Sequence, residues 1–269
     1  MKKLLILLLL AILFTMEGCY NSSINPTLQS KYPTKIGNQW EYQTTYTFEY
    51  YDSTGNIDSV EILDFGNTIV KIDNEKDSVN GISNLVMFSS YEVTSTDSIS
   101  KSWYSNSDCG LYVIAYTGAG RSQPVLPKLN QTNFFSIVFS NHKMLMPDIS
   151  NLFNSNPSDS IQLYDTPRKV LDYPLNKGAQ WVELVFPFYR ERFVEKMLPV
   201  EVFAGMFNCY VIESKSDLNV ELTDYMNLED GLIKRIVYAD SIDIVTNGNP
   251  DSSVYARFTS TSQLVNKSF

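Results

Sequence analysis

Three cysteines, one histidine and a surplus of carboxylates are the residues of this 269-residue sequence that could do chemistry, and their spacing limits what that chemistry could be. A Ser-His-Asp or Cys-His site would need His142, but no Gly-x-Ser-x-Gly elbow accompanies it. Between Asn141 and Lys143, His142 reads as an exposed polar residue at a strand end. One histidine and scattered cysteines match no zinc spacing. Asp73, Glu75 and Asp77 alternate as calcium ligands can, yet Ser78 stands where the loop needs a sharply turning glycine and no bidentate Glu closes it. A solvated hairpin tip is expected there. Gly118-Ala119-Gly120-Arg121-Ser122 could cup an anion, but Pro124 and Pro127 follow in place of a helix with aligned amides, so a plain turn is expected. Glu191 and Glu195 share one face of a reading as strand, and Arg190, Arg192 and Lys196 occupy the other. Two carboxylates about 5 to 9.5 Å apart across a cleft can hydrolyse a glycoside; alternation of this kind reads first as a solvated face. No catalytic residue, metal or cofactor is assigned.

Cys19 has the most specific setting. Lys2 and Lys3 precede an 11-residue apolar run, Leu4 to Phe14, and Gly18 stands immediately before the cysteine. A spanning helix needs about 20 apolar residues, so residues 1–18 read as a cleaved export signal. The segment resembles a bacterial lipoprotein signal peptide: Met16 and Gly18 fit the box before the cysteine, and Glu17 departs from it. The resemblance implies a diacylglycerol on the Cys19 sulfur, cleavage before that residue, and a fatty acyl chain such as palmitate on the new amino group. Each buried methylene adds about 0.8 kcal/mol, so two or three chains make release negligible. Tyr20 stands where lipoproteins retained at the inner membrane carry Asp, so the resemblance implies the outer membrane, with periplasmic and surface orientations both open. Residues 19–31 form the lipidated tether, and a flexible segment of that length reaches roughly 20 Å.

Loss of residues 1–18 removes Lys2, Lys3 and Glu17 and takes the formal charge from −9 to −10. That balance excludes nucleic acid as a partner and attraction to anionic lipid as the means of attachment. Cys109 and Cys209 remain. They are free to form a disulfide outside the cytoplasm, or Cys209 is a small buried hydrophobe on the strand face of Phe207 and Val211 while Cys109 sits in a turn.

The elements that position these residues read as strands. The 17 Tyr, 15 Phe and 3 Trp suit a half-buried pleated surface. From Trp40 the even positions run Trp40, Tyr42, Thr44, Tyr46, Phe48, Tyr50 against polar odd positions, which is the period of a half-buried strand. Similar alternation covers 82–93, 111–117, 207–213, 233–245 and 254–259, with turn pairs at Gly55-Asn56, Asn80-Gly81, Asp230-Gly231 and Asn247-Gly248. No segment after the signal shows capped helical spacing. Residues 146–172 read as a connecting loop region.

The segments on either side, 32–145 and 173–269, share motifs. Tyr32-Pro33-x3-Gly37-x-Gln39-Trp40 recurs as Tyr173-Pro174-x3-Gly178-x-Gln180-Trp181, and Tyr104-x-Asn106-x3-Gly110-Leu111 recurs as Tyr225-x-Asn227-x3-Gly231-Leu232. Two motifs in one order predict two related β halves, the second shorter by about one hairpin. The fold expected is all-β, an antiparallel sandwich or incomplete barrel with Trp40 and Trp181 at equivalent inward positions. The stretch from Tyr32 to Tyr42 resembles the opening motif of a broad, largely uncharacterised group of exported bacterial β-rich lipoproteins. Residues 200–213 and 231–235 are similar to two further pieces of that group, with Phe203 where it usually has Pro. This resemblance implies an architecture and no ligand or catalytic residue.

The function read from these features is an envelope lipoprotein, lipid-anchored through Cys19, acting as a non-enzymatic binding or structural module for an unidentified envelope protein. Two other readings stand beside it: a carrier of an apolar ligand, and a carboxylate-dependent hydrolase of envelope polymer.

Overall fold

The computed structural model describes residues 30–93, 95–117, 136–139, 160–185, 189–216, 220–245 and 253–269. Cys19, His142, Gly118–Ser122 and the Asn247-Gly248 turn lie outside them. Thirteen strands are present among the described residues, and no helix: β1 (Gln39–Tyr51), β2 (Ile57–Val79), β3 (Ile82–Glu92), β4 (Ser95–Ser107), β5 (Gly110–Tyr116), β6 (Ser136–Phe139), β7 (Gln162–Asp172), β8 (Gln180–Leu184), β9 (Arg190–Val202), β10 (Gly205–Ser216), β11 (Val220–Asn227), β12 (Gly231–Val245) and β13 (Ser253–Ser268). They form one antiparallel sheet in the order β7-β5-β4-β3-β2-β1-β13-β12-β11-β10-β9-β8, with β6 added to β12. The sheet curls into a nearly closed barrel and not a two-sheet sandwich.

The alternation of β1 decides its facing. Trp40, Tyr42, Thr44, Tyr46 and Phe48 are buried, and the odd positions between them are half-buried. Inside, Thr44 Oγ1 and Ser262 Oγ share a hydrogen bond of 2.7 Å across the β1–β13 pair. Asn80 and Gly81 both have positive φ, 48° and 84°, as a two-residue hairpin with the twist of its strands demands.

The strand order is the same in the two halves. β1-β2-β3-β4-β5-β7 and β8-β9-β10-β11-β12-β13 are both six-stranded meanders, joined where β13 pairs with β1. The second half has therefore lost no hairpin. It is shorter because β8 has 5 residues against 13 in β1, and β9 has 13 against 23 in β2. Trp40 and Trp181 are both buried. The second motif is less regular: Tyr104 is fully buried, whereas Tyr225 is only partly covered.

Residues 162–172, expected as the end of a connecting loop, are strand β7. Their pattern is interrupted by Pro167, which lacks a ladder donor, and β7 lies at the sheet edge where that is tolerated. Its last turns bury Arg168, Val170 and Leu171.

Candidate functional site

The densest chemistry lies inside the barrel where β7 and β8, the two ends of the sheet order, meet without a ladder between them. Side chains join them instead. Trp181 Nε1 donates to the Lys169 carbonyl at 2.9 Å, and Arg168 Nη2 donates to Glu183 Oε1 at 2.7 Å. Glu183 also takes Arg190 Nε at 3.0 Å and Arg192 Nη1 at 3.4 Å. Arg192 Nη2 reaches Asp224 Oδ2 at 2.6 Å, and Arg235 grips Asp224 with Nε at 2.6 Å and Nη2 at 2.8 Å. All six residues are buried, on five strands. Arg168 Nη1 donates to Tyr164 Oη at 3.0 Å and extends the network to a tyrosine.

Geometry explains the charge states. Burial by itself would raise the Glu183 carboxyl, but Arg190, Arg168 and Arg192 outweigh it and hold the group well below the usual carboxylate range. Burial opposes Asp224 in the same way, and Arg235 and Arg192 again prevail and lower it. Arg235, which burial would lower, is raised by Asp224. Both carboxylates therefore stay ionised and hold no proton to give a leaving group. Arg192 Nε and Arg235 Nη1 are buried without a hydrogen-bond partner among the described residues.

Sequence reading placed Arg190 and Arg192 on a solvated face. That is corrected: both are buried, while Glu191 and Glu195 on the other side of β9 are half-buried and Lys196 is exposed. Alternation identified the strand but assigned its wet side wrongly, because the compensating carboxylates come from β8 and β11. The signal for Asp224 and Arg235 was present in part. Each occupies a position in an otherwise apolar alternation, Val220-Leu222-Asp224-Met226 and Ile233-Arg235-Val237, and the two are cross-strand partners.

Glu195 does pair with a carboxyl, but with Glu213 of β10. A hydrogen bond from Lys196 lowers Glu195, while burial and then the Glu195 carboxylate raise Glu213. Asp73, Glu75 and Asp77 are also committed to the fold and not to a solvated tip alone. Asp73 pairs with Lys71 at 3.0 Å, Glu75 accepts from the Ile36 amide, and Asp77 accepts from Trp103 Nε1 at 2.7 Å.

Cys209 is buried with a free thiol, so the bridge to Cys109 is not made. Burial, and then Asp230, pushes that thiol up to about 12. It packs with Phe207 in the core, and at neutral pH it is protonated and unreactive.

The paired Tyr-Pro motifs meet at one end of the barrel. The Tyr32 amide donates to Tyr173 Oη at 2.9 Å, Tyr173 Oη donates to Asn106 Oδ1 at 3.2 Å, and Asn106 Nδ2 donates to the Tyr32 carbonyl at 3.0 Å. Trp40 Nε1 crosses to the Asp230 carbonyl at 2.7 Å and Tyr42 Oη to the Leu232 carbonyl at 2.8 Å. Each motif tryptophan thus bonds the opposite half, Trp40 to the β11–β12 turn and Trp181 to β7.

The sequence matches no family model and no curated protein. In backbone shape the chain is similar to a solved structure from Bacteroides fragilis, provisionally described as an exported protein with a YmcC-like fold: 10% identity, 90% of this chain and 100% of the other covered, TM-score 0.39. It is also similar to a structure from Parabacteroides distasonis, provisionally described as a lipoprotein, at 12% identity over 88% of this chain and 97% of the other, TM-score 0.31. At these TM-scores neither transfers a residue role.

Proposed function

We propose that this chain is a lipoprotein of the cell envelope, held in the outer membrane by acyl chains on Cys19, whose folded part is a binding or structural module and not an enzyme. The observation that carries the reading is the charged start, the short apolar run and Gly18-Cys19, followed by a polar tether that ends where Tyr32 is fastened into the barrel. The interior supports a module that does no chemistry of its own. Its two innermost carboxylates are held as ion pairs, and the inward positions of β1 are occupied by large aromatics, as in small barrels filled by their own side chains. Metabolic labelling with an alkyne fatty acid tests the anchor: the wild type is expected to be marked and Cys19→Ala unmarked, and equal labelling of both refutes it. The soluble Cys19→Ala chain is expected to leave peptidoglycan fragments, polysaccharides and chromogenic esters unchanged. Turnover abolished by changing one Asp or Glu would instead assign the hydrolase reading.

A further inference from the structure

The tether enters the barrel at the end that also presents the β9–β10 hairpin, and this hairpin does not continue the wall. Its tip crosses the barrel mouth: the Ala204 amide donates to the Leu264 carbonyl of β13 at 3.1 Å, although β13 lies three strands from β10 in the sheet order. Three strand spacings are roughly 14 Å along the wall, so this contact requires the tip to lean across. The inner side of the hairpin, Val200, Val202, Phe207 and Cys209, joins the core with Tyr32 and Trp40. The outer side carries Met197, Phe203 and Met206, with 57%, 67% and 64% of their surface exposed. Phe269 (56% exposed) continues this apolar surface: Lys267 Nζ lies 5.1 Å from the Phe207 ring and 5.0 Å from the Phe269 ring, and Phe269 packs on Trp40 at 5.5 Å. Trp40 in turn touches Tyr32, at 5.8 Å, where the tether arrives. The patch and the anchored segment therefore share one end of the molecule.

We infer that this end rests on the bilayer, with Phe203, Met206 and Phe269 entering the boundary between headgroups and acyl chains. The inference rests on the lipid-anchor reading for its direction. An anchor on Cys19 holds this face at a root-mean-square distance of roughly 20 Å from the membrane, and an exposed apolar patch kept that near to lipid gains by being covered by it. Lys267, between two rings, is ion-paired with Asp230, so its charge is met within the protein and the patch around it presents apolar surface. With a formal charge of −10 once residues 1–18 are lost, the chain suits a zwitterionic surface such as phosphatidylethanolamine and not an anionic one. Apolar residues are exposed toward the opposite end as well, Ile57, Val60 and Ile62 of β2 among them, but the tether reaches the barrel at the end of Tyr32.

Phe203→Trp provides a reporter, because Trp40, Trp103 and Trp181 are buried. The mature chain, with hexahistidine in place of residues 1–19, would be held on vesicles of phosphatidylcholine, phosphatidylethanolamine and a nickel-chelating lipid. This tether works whether or not Cys19 is acylated in the cell, so failure of the anchor reading does not affect the result. Brominated phospholipid is expected to quench Phe203→Trp at least twofold more than Thr54→Trp, whose turn lies at the far end of the barrel. Adding Met206→Glu should abolish that excess. An excess below twofold overturns the inference. So does a blue shift of Phe203→Trp emission that grows with protein concentration without vesicles, which would assign the face to a second copy of the chain.

Discussion

Glu183 sits among three guanidinium groups and Asp224 between two, all buried, and at the scale of single residues this network is where substitution should cost most. Asp224→Asn keeps the shape and removes the charge that Arg235 and Arg192 share. It is expected to destabilise by about 3 to 5 kcal/mol in urea unfolding, because it strands buried cations. Replacing the pair together, Asp224→Leu with Arg235→Met, should cost less than Asp224→Asn alone; a larger cost would mean that the pair itself, and not the orphaned charge, dominates. The pH dependence has a definite sign. Both folded-state carboxyls lie below their ordinary values of 4.5 and 3.8. Their contribution is therefore complete above those values and is lost as pH falls through the lowered ones. Melting temperature should drop on acidification below about pH 4.5, and less steeply in Asp224→Asn. Little of this was legible in advance, since each charge has its partner on another strand.

At the scale of elements, two glycines of the repeated motif are fixed by close approach. A Cβ on Gly231 would lie 2.9 Å from Trp40 Nε1 and 3.1 Å from Tyr32 Oη, and its φ is +87°. A Cβ on Gly110 would lie 2.3 Å from the Leu171 carbonyl oxygen, which belongs to the neighbouring strand and cannot swing away. Both Gly→Ala changes are expected to destabilise, by at least about 1 to 3 kcal/mol, with Gly110→Ala the worse because backbone must move. Equal tolerance of the two in thermal melts would contradict that packing. Trp40→Ala and Trp181→Ala should each cost about 3 to 5 kcal/mol as core aromatics. The motif spacing pointed to both tryptophans, and β1 was legible from its alternation. Strands β2, β4, β7 and β11 were not, because polar and small residues fill much of their length and their facing is set by the neighbours they pair with.

At the scale of the molecule, the barrel has one weak line. Among the described residues strand pairing runs from β7 around to β8 and stops there, and the Trp181–Lys169 hydrogen bond and the Arg168–Glu183 ion pair bridge the gap. Amide hydrogen exchange should accordingly be faster in β7 and β8 than in β1 and β13, which are paired on both sides. Equal protection would mean that the seam is closed by a backbone ladder. Glu183→Gln should speed exchange at β7 and β8 selectively.

The sequence by itself determined the strand-forming character, the inward face of β1 and the recurring motifs of the two halves, because period-two alternation and turn glycines are local properties of the chain. Tertiary structure decided the rest. Whether two meanders stack as a sandwich or join edge to edge depends on which edges pair, and here β13 with β1 makes a single sheet. Which charges are dry depends on partners up to 32 residues away in the chain, as for Arg192 and Asp224, which meet in the barrel interior. The covering of the barrel mouth by the β9–β10 hairpin follows from one long-range contact, Ala204 with Leu264, for which no local pattern exists. A hydrogen bond or ion pair across a barrel is set by curvature of the whole sheet, and curvature is a sum over all its strands.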